Sequence, residues 1–222
     1  MSKRFGTDDL LNCYRRGVFP MADSRDDPRL FIMDPDRRGI LPLDDFHTPR
    51  RLRKTIRKDP FRITTDTAFN RVIDACAEAH ISRPSTWIND TILNLYSGLH
   101  RKGHAHSIEC WDDHGQLIGG LYGVSIGGAF FGESMFSRAT DASKIALVHL
   151  VARLIAGGYT LLDAQFHNPH LDQFGLLEIP RADFHSRLAQ ALQVQADFYS
   201  IGDKVEGSVS GDTALHWITQ IS

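Results

Sequence analysis

Residues 103–168 contain three unusual segments, GHAHS (103–107), FFGESMFS (130–137) and LDAQFHN (162–168). From residue 105 the chain alternates with period two around the turn residues DDHG (112–115), which predicts a hairpin and then a three-stranded antiparallel meander. An apolar helix pattern from residue 141 and a strand at 160–163 follow. A strand, a buried helix and a strand of these lengths predict a right-handed βαβ crossover. The region therefore predicts one mixed sheet.

Four polar residues lie on or beside these otherwise apolar strands: Glu133, Asp163, Gln165 and Asn168. Buried polar groups must be paired, so their presence needs a reason. Asp163 and Gln165 are two residues apart, so on an extended strand they face the same way. With Glu133 they offer acceptors that could orient and deprotonate an incoming amine. A hydrogen-bond network that only fixes the strands is the alternative.

Residues 49–58 predict a helix, with Thr48 as its cap and Pro49 at its first position. One face of this helix is basic, because five residues follow i, i+3, i+4, i+7, i+8 spacing: Arg50, Arg53, Lys54, Arg57 and Lys58. With no acid before Asp59, such a face repels itself unless it meets an anion, and the phosphates of a nucleic acid are the natural partner. A solvated charged surface is the alternative.

Aromatic and thioether side chains suggest a second kind of surface: Trp87, Tyr96, Phe130 and Met135. Such surfaces can stack a nucleobase. Aromatic residues that simply fill the core are the alternative.

The bulk composition is typical of a globular protein of one or two domains, with 222 residues, 42% hydrophobic residues and a net charge of -2. No apolar run approaches the ~20 residues of a membrane span, and the first nine residues lack an apolar signal core. We therefore expect a cytoplasmic protein with no membrane partner. Cys13, Cys76 and Cys110 are widely spaced and odd in number, which fits a reducing compartment and excludes a Cys-rich zinc module.

No metal and no cofactor are expected. His104 and His106 share a strand face, but no third ligand stands at a useful spacing. A Gly-x-Ser-x-Gly elbow, a Walker loop and a dinucleotide fingerprint are all absent from the sequence. Ser134 and Ser137 lack an evident base, so a serine nucleophile is not expected either.

A longer series of motifs runs through the chain in order: GHAHSIE (103–109), GGLYGV (119–124), FGESMFS (131–137), ASK (142–144) and DAQFHN (163–168). This series closely resembles the bacterial leucyl/phenylalanyl-tRNA–protein transferases. The likeness extends to further segments: YRRGVFP (14–20), DPDR (34–37), the basic helix, STWI (85–88) and EIPR (178–181). It covers most of the chain.

The resemblance implies an α+β fold, with a small N-terminal α/β domain at 1–60 that carries the basic helix and a GNAT-like (acetyltransferase-like) catalytic α/β domain at 61–222. It also implies transfer of Leu or Phe, with Met as a further candidate, from aminoacyl-tRNA to the N-terminal Arg or Lys of a protein. The product would be marked for N-degron proteolysis. The aminoacyl ester is already activated, so aminoacyl-tRNA is the only co-substrate expected, and we expect a monomer.

By resemblance, Asp163 and Gln165 form the amine-activating pair, with Asp163 polarising Gln165, and Glu133 helps bind the basic side chain of the acceptor. The identity of the proton acceptor stays open, because an amide is a very weak base and the tRNA ribose or water could serve instead. The donor side chain would enter an apolar pocket lined by Leu121, Phe130, Gly132, Leu147, Leu150 and Leu162. Hydrophobic fit of this kind discriminates weakly among similar shapes.

The resemblance also assigns contacts with the tRNA. Its end would be held by Trp87, Tyr96, Met135 and Asn168. The basic helix would hold the acceptor stem through phosphates, without reading sequence.

The chain departs from the family pattern in its N-terminal third. Met21 follows Phe-Pro where the family has Trp, and Phe31 and Ile32 stand where it has a Trp pair. QFGL (173–176) replaces Ser-Leu-Gly-Ala. These changes concern the adenosine clamp and acceptor specificity, whereas the amine-handling residues are all present.

Two other functions are alternatives to the aminoacyl transfer that the resemblance implies. A CoA-dependent N-acetyltransferase would need a glycine-rich pyrophosphate turn, but SRATDASK (137–144) has no glycine and Asp141 would repel pyrophosphate. A non-catalytic tRNA- or protein-binding relative is disfavoured by the retained Glu133, Asp163 and Gln165, and favoured only by Met21.

Overall fold

The computed structural model describes residues 5–27, 29–78, 86–202 and 209–220, so Ser85 of the STWI motif lies outside the described residues. The helices are α1 (Thr7–Arg15), α2 (Arg50–Ile56), α3 (Phe69–Ala77), α4 (Asp90–Arg101), α5 (Ala142–Ala156), α6 (Arg181–Ala191) and α7 (Gly211–Thr219). The strands are β1 (Phe19–Met21), β2 (Phe31–Met33), β3 (Arg37–Leu41), β4 (Arg62–Thr65), β5 (Ala105–Trp111), β6 (Leu117–Ile126), β7 (Ala129–Ser137), β8 (Leu161–Gln165) and β9 (Leu177–Pro180). None of the described helices is long and apolar enough to cross a membrane.

A mixed sheet of seven strands lies at the centre, in the order β4-β5-β6-β7-β8-β3-β9. The predicted meander is confirmed, because β5, β6 and β7 pair antiparallel with one another in sequence order. Strands β7 and β8 pair in parallel, with α5 between them in the chain, so the predicted strand–helix–strand unit is also confirmed. Helix α5 is buried over most of its length, as its apolar sequence predicts.

Strand β3 is inserted between β8 and β9 and runs antiparallel to both. The sequence indicated only a short extended piece near residues 39–43, and β9 was not predicted. The insertion brings β3, which carries Arg38, against the strand that carries Asp163 and Gln165. The division into domains at residue 60 stays a prediction.

Helices cover both faces of the central sheet. One buried apolar cluster joins the sheet to α1, α3, α4 and α6. A second cluster joins the opposite side to α2, α5 and α7. The sheet is thus the middle layer of three.

A bulge interrupts the pairing of β6 with β7. Tyr122 is opposite Ser134, but Gly123 is opposite Gly132, so Glu133 is an extra residue without a partner across the ladder. Bulges re-aim side chains and are common beside active sites. A Cβ at Gly123 would lie 2.3 Å from the carbonyl oxygen of Phe131, so only glycine fits against the bulge.

A second bulge interrupts the pairing of β3 with β8. Ile40 is opposite Asp163, but Gly39 is opposite Gln165, so Ala164 is the extra residue. Gln165 itself has a φ of 65°, in the left-handed region that non-glycine residues rarely adopt. The strand therefore departs from simple alternation between Asp163 and Gln165, and both bulges lie beside the residues that the sequence singled out.

Helix α2 is shorter than the predicted helix at 49–58: it begins at Arg50 and ends at Ile56, with Arg57 as its C-cap residue and Lys58 beyond it. The prediction of Thr48 as its cap was wrong: Pro49 is the N-cap, no side chain caps the helix, and the buried Thr48 hydroxyl has no hydrogen-bond partner among the described residues. Leu52 is buried, as expected for the inner side of the helix.

Candidate active site

A buried ion pair between Arg38 and Asp163 forms part of the site. The Nε and Nη2 atoms of Arg38 donate to the two carboxylate oxygens of Asp163, at 2.9 and 2.7 Å, and Nη1 donates to the carbonyl of Gly17 at 3.1 Å. The guanidinium also lies 4.6 and 4.3 Å from the ring centroids of Phe19 and Phe184. Both charged side chains are at most 1% exposed. Bidentate geometry of this kind is the strongest form of the Arg–carboxylate contact.

Gln165 connects this pair to Glu133. Its backbone N–H donates to Oδ1 of Asp163 at 2.9 Å, while its side-chain Nε2 donates to Oε1 of Glu133 at 2.8 Å. Asp163 thus contacts the backbone of Gln165 and fixes its unusual φ, and the amide group is directed to Glu133. Backbone strain of about 1–3 kcal/mol is typical of residues held for function.

Glu133 is half-buried and accepts three hydrogen bonds. Oε1 accepts from the Tyr14 hydroxyl at 2.6 Å and from Gln165, and Oε2 accepts from the Tyr96 hydroxyl at 2.9 Å. Burial raises the pKa of Glu133 to about 7, and the charge of Asp163 adds to the increase; the tyrosine hydrogen bonds and the charge of Arg38 lower it. Its carboxyl group is therefore near the midpoint of its titration at neutral pH.

Tyr14 and Tyr96 form the buried side of this network. Their hydroxyl groups contact each other as well as Glu133, and both rings are fully buried. Burial, and then the charge of Glu133, raises the pKa of each tyrosine well above its ordinary value, so both stay protonated donors. The structure thus places Tyr96 beneath Glu133, where its ring has no face open to a nucleobase.

A cavity of about 220 Å³ with a leucine-rich wall opens on one side of Glu133. Five of the residues predicted for the donor pocket line it: Leu121, Gly132, Leu147, Leu150 and Leu162. Leu41 and Leu171, which the sequence did not single out, complete its apolar wall. Asp163 lines it too, together with Met135 and Asn168 from the predicted tRNA-end set.

Phe130 does not line this cavity. Its side chain is fully buried, and its ring stacks on that of Phe198 at a centroid distance of 5.7 Å. The alternation of β7 places it in the core layer between the sheet and α5, so it supports the cavity only indirectly.

A second cavity of about 250 Å³ opens on the other side of Glu133. Phe19, Met21, Trp87 and Phe166 give it a largely aromatic wall. The structure therefore separates Trp87, on a cavity wall, from the buried Tyr96. Phe31 and Ile32 do not line either cavity and are 40% and 50% exposed.

The two cavities share part of their lining, namely Glu133, Ala164 and Asn168. A molecule with an apolar group and an aromatic group could occupy both at once, with the bond between them passing beside Glu133. The Glu133 carboxylate lies at this junction, and Gln165 lines the second cavity beside it.

The basic residues of α2 and its C-terminal end lie on the face of the sheet that also carries α5, α7 and the leucines of the first cavity. Arg50, Lys54, Arg57 and Lys58 are exposed, and Arg53 is partly buried. Nε of Arg53 has no hydrogen-bond partner among the described residues, and Nε of Arg57 lies 3.6 Å from Oδ1 of the exposed Asp212. The face keeps a large excess of positive charge.

His104 and His106, the two histidines that share a strand face in the sequence, differ in burial: His104 is half-buried and His106 is buried. His106 is buried, and its Nδ1 lies 2.7 Å from Oδ2 of Asp66. In the part of the chain that the structure describes, no three His, Cys, Asp or Glu side chains are grouped so that they could hold a metal ion.

Sequence reasoning missed the groups that support the site. Arg38 was not singled out, and Tyr14 was noted only as part of a motif. The sequence does show that Arg38 directly precedes the extended piece that became β3. Nothing in the neighbouring residues indicates which strand β3 pairs with.

Comparisons with known proteins cover nearly all of the chain. The family model described as "Leucyl/phenylalanyl-tRNA protein transferase" matches residues 40–189, and that of the N-terminal domain of the same family matches residues 5–36. The solved structure titled "The structure of L-PGS from Bacillus licheniformis" is 14% identical, with a TM-score of 0.43 over 74% of this chain and 60% of that one.

Three similar relatives carry the name leucyl/phenylalanyl-tRNA–protein transferase. That of Hyphomonas neptunium is 71% identical over 91% of this chain and 78% of its own length. The Phenylobacterium zucineum protein is 59% identical over 98% of this chain and 99% of its own. The Caulobacter vibrioides protein is 55% identical over the full length of both.

Proposed function

The chain belongs to the leucyl/phenylalanyl-tRNA–protein transferase family and is an enzyme that transfers an amino acid from aminoacyl-tRNA to a protein; we propose how its two cavities divide the substrates. The donor is Leu-tRNA or Phe-tRNA, with Met-tRNA also accepted. The acceptor is a protein with an N-terminal Arg or Lys, which the transfer marks for N-degron proteolysis.

The shared lining of the two cavities is the observation that carries this proposal. The leucine-lined cavity takes the side chain of the donor amino acid. The terminal adenosine lies in the second cavity against Trp87, and Met21 enlarges that cavity relative to a tryptophan. The ester that links the two then passes beside Glu133, Ala164 and Asn168, where the acceptor amine arrives.

The proposed reaction requires correct positioning of the two substrates and no cofactor. The ester is already activated, so the enzyme has to hold the amine in line with the carbonyl carbon. The Arg38–Asp163 pair fixes Gln165, and Gln165 faces the arriving amine. No metal or nucleotide is assigned a role, and we propose a cytoplasmic monomer.

The order of strands and helices also supports the proposed transferase function. A three-stranded meander followed by a strand–helix–strand unit is the arrangement implied by the GNAT-like assignment, which we retain for residues 61–222, after a small N-terminal domain at 1–60. At the start of α5, Asp141 is the N-cap residue, and Lys144 donates to its carboxylate at 3.0 Å. An acidic residue at this helix end disfavours a CoA pyrophosphate.

We expect the purified protein to move label from radiolabelled Leu-tRNA or Phe-tRNA to a peptide that begins with Arg. A peptide with an acetylated N-terminus is the control, because it has no free amine to attack the ester. Labelled product separated by chromatography is the measurement. Binding of tRNA without any transfer would contradict the proposal and favour a non-catalytic relative.

The basic face of α2 is expected to bind tRNA phosphates. Arg53→Glu with Arg57→Glu should weaken tRNA binding and reduce the slope of log affinity against log salt by about 2, since each lost phosphate contact removes roughly one unit. Arg101→Glu with Arg187→Glu is the matched control, because it changes the net charge equally at exposed positions on α4 and α6. Equal loss in both double variants, measured by filter binding, would mean that only net charge matters.

A further inference from the structure

Glu133 is the carboxylate best placed to receive a proton in the site. Both oxygens of Asp163 are held by Arg38, one of them also by the backbone of Gln165, and its side chain is fully buried. The Gln165 side chain is an amide and cannot hold a proton at neutral pH. Glu133 is half-buried and lines both cavities. Resting on the proposed function, we infer that Glu133 takes the proton of the acceptor α-amine, in place of binding the acceptor's basic side chain.

The hydrogen-bond network around Glu133 has room for one added proton. Three oxygen–oxygen contacts connect Tyr14, Tyr96 and Glu133 in a ring: each hydroxyl contacts one carboxylate oxygen, and the two hydroxyls contact each other. When Glu133 is ionised, two hydroxyl protons serve three contacts. When Glu133 is protonated, a third proton completes the ring, with each group donating once and accepting once. The ring therefore accommodates the proton when one tyrosine O–H turns from the carboxylate to the other hydroxyl group, and no non-hydrogen atom has to move.

The charged and titratable groups around Glu133 act on its proton affinity in opposite directions. Tyr14 faces it from α1, Tyr96 from α4, Asp163 from β8 and Arg38 from β3. Burial and Asp163 favour the protonated form, whereas the two tyrosines and Arg38 favour the ionised form, which leaves its pKa at about 7. A base is most effective when its pKa lies near the working pH.

In the resulting reaction, one proton moves from the acceptor amine to the ribose oxygen by way of Glu133. The α-amine nitrogen attacks the ester carbonyl carbon, a C–N bond forms, and one N–H proton passes to Glu133. The tetrahedral intermediate then collapses, the C–O bond to the tRNA ribose breaks, and the ribose oxygen leaves with the proton from Glu133. The carboxylate is regenerated, and no further reactant is consumed.

The test uses single-turnover transfer from Phe-tRNA to an Arg-peptide, with both substrates saturating. Glu133→Gln should lower the rate by about 100- to 10,000-fold, the usual contribution of a positioned base. Glu133→Ala should be rescued by added formate or acetate, which can enter the half-exposed space and accept the proton. Gln165→Ala is the matched control: it opens space at the same place but removes no base, so formate should not rescue it.

The pH profile gives an independent readout. Since Glu133 must be ionised to act, the wild-type rate should fall as pH drops below about 7, in addition to the fall caused by protonation of the peptide amine near pH ~8. At low pH the wild-type logarithmic slope should approach about 2, and that of Glu133→Gln about 1. Thermal melting and Phe-tRNA binding confirm that each variant is folded.

The outcomes separate this inference from the proposed function. If the wild type transfers no amino acid, the proposed function fails. If it transfers normally but formate rescues Gln165→Ala and not Glu133→Ala, Gln165 handles the proton and the inference is overturned. It is also overturned if Glu133→Gln keeps the wild-type rate and pH slope at saturating Arg-peptide and, in a peptide titration, only needs more peptide to reach half the maximal rate, since that result returns Glu133 to binding the basic side chain.

Discussion

Replacing Asp163 by alanine is expected to lower the free energy of unfolding by about 3–5 kcal/mol, because it leaves the Arg38 guanidinium buried without its counter-charge. Arg38 is 1% exposed and enclosed by two aromatic rings, so water cannot replace the carboxylate. Transfer should be lost as well, since the hydrogen bond that holds the Gln165 backbone disappears. Urea unfolding followed by circular dichroism measures the first effect.

A double variant distinguishes charge from packing. Arg38→Met with Asp163→Leu removes both charges and should recover most of the stability, as buried ion pairs can often be replaced by apolar residues of similar volume. It should not recover transfer. The exposed pair between Arg138 and Glu78 is the control: Arg138→Met is expected to change stability by less than about 1 kcal/mol. A loss below about 1 kcal/mol for Asp163→Ala would show that the ion pair does not anchor the site.

Filling the leucine-lined cavity from Gly132 should switch donor preference. A Cβ built at Gly132 meets only the carbonyl oxygen of Asp163, at 3.5 Å, which is ordinary contact, so larger side chains can project into open space. In the series Gly132→Ala, Val and Leu, we expect kcat/KM to fall progressively, by about 100-fold for Phe-tRNA in the valine variant and by less for Leu-tRNA. The reason is that the larger donor side chain loses space first.

The ratio of the two donors is the decisive measurement in that series. A general folding defect would lower transfer from Phe-tRNA and Leu-tRNA equally, whereas a filled pocket changes their ratio. Thermal melting of each variant is the control for folding. An unchanged Phe-to-Leu ratio in Gly132→Val would show that the donor side chain does not bind in this cavity.

Much of the central sheet was predictable, because the periodicity that identifies a strand or a helix depends only on residues that are neighbours in the chain. The alternation after residue 105 predicted the meander, and the apolar helix before Leu161 predicted the parallel pairing of β7 with β8. Of the site, the sequence supplied Glu133, Asp163 and Gln165 together with most of the leucine-lined cavity. Their assigned roles in transfer remain predictions.

Local periodicity carries no information on three other features of the site. The insertion of β3 beside β8, which supplies Arg38 to Asp163, depends on a pairing between segments about 125 residues apart in the chain. The bulges at Glu133 and Ala164 depend on the register of one strand against its neighbour, which the alternation of a single strand does not reveal. The ring of Tyr14, Tyr96 and Glu133 joins α1, α4 and β7, and it exists only once all three are packed.

The residues predicted to perform chemistry and the strands that carry them are therefore visible locally, in segments of a few residues each. What surrounds them, and so sets their charge state and direction, comes from contacts between distant segments. The stretch at 103–168 specifies a carboxylate, an amide and an apolar pocket on one sheet. The packed protein decides that Arg38 holds both oxygens of Asp163, while Glu133 lies between the two cavities with its pKa raised to about 7, because burial and partner charges are properties of the assembled structure.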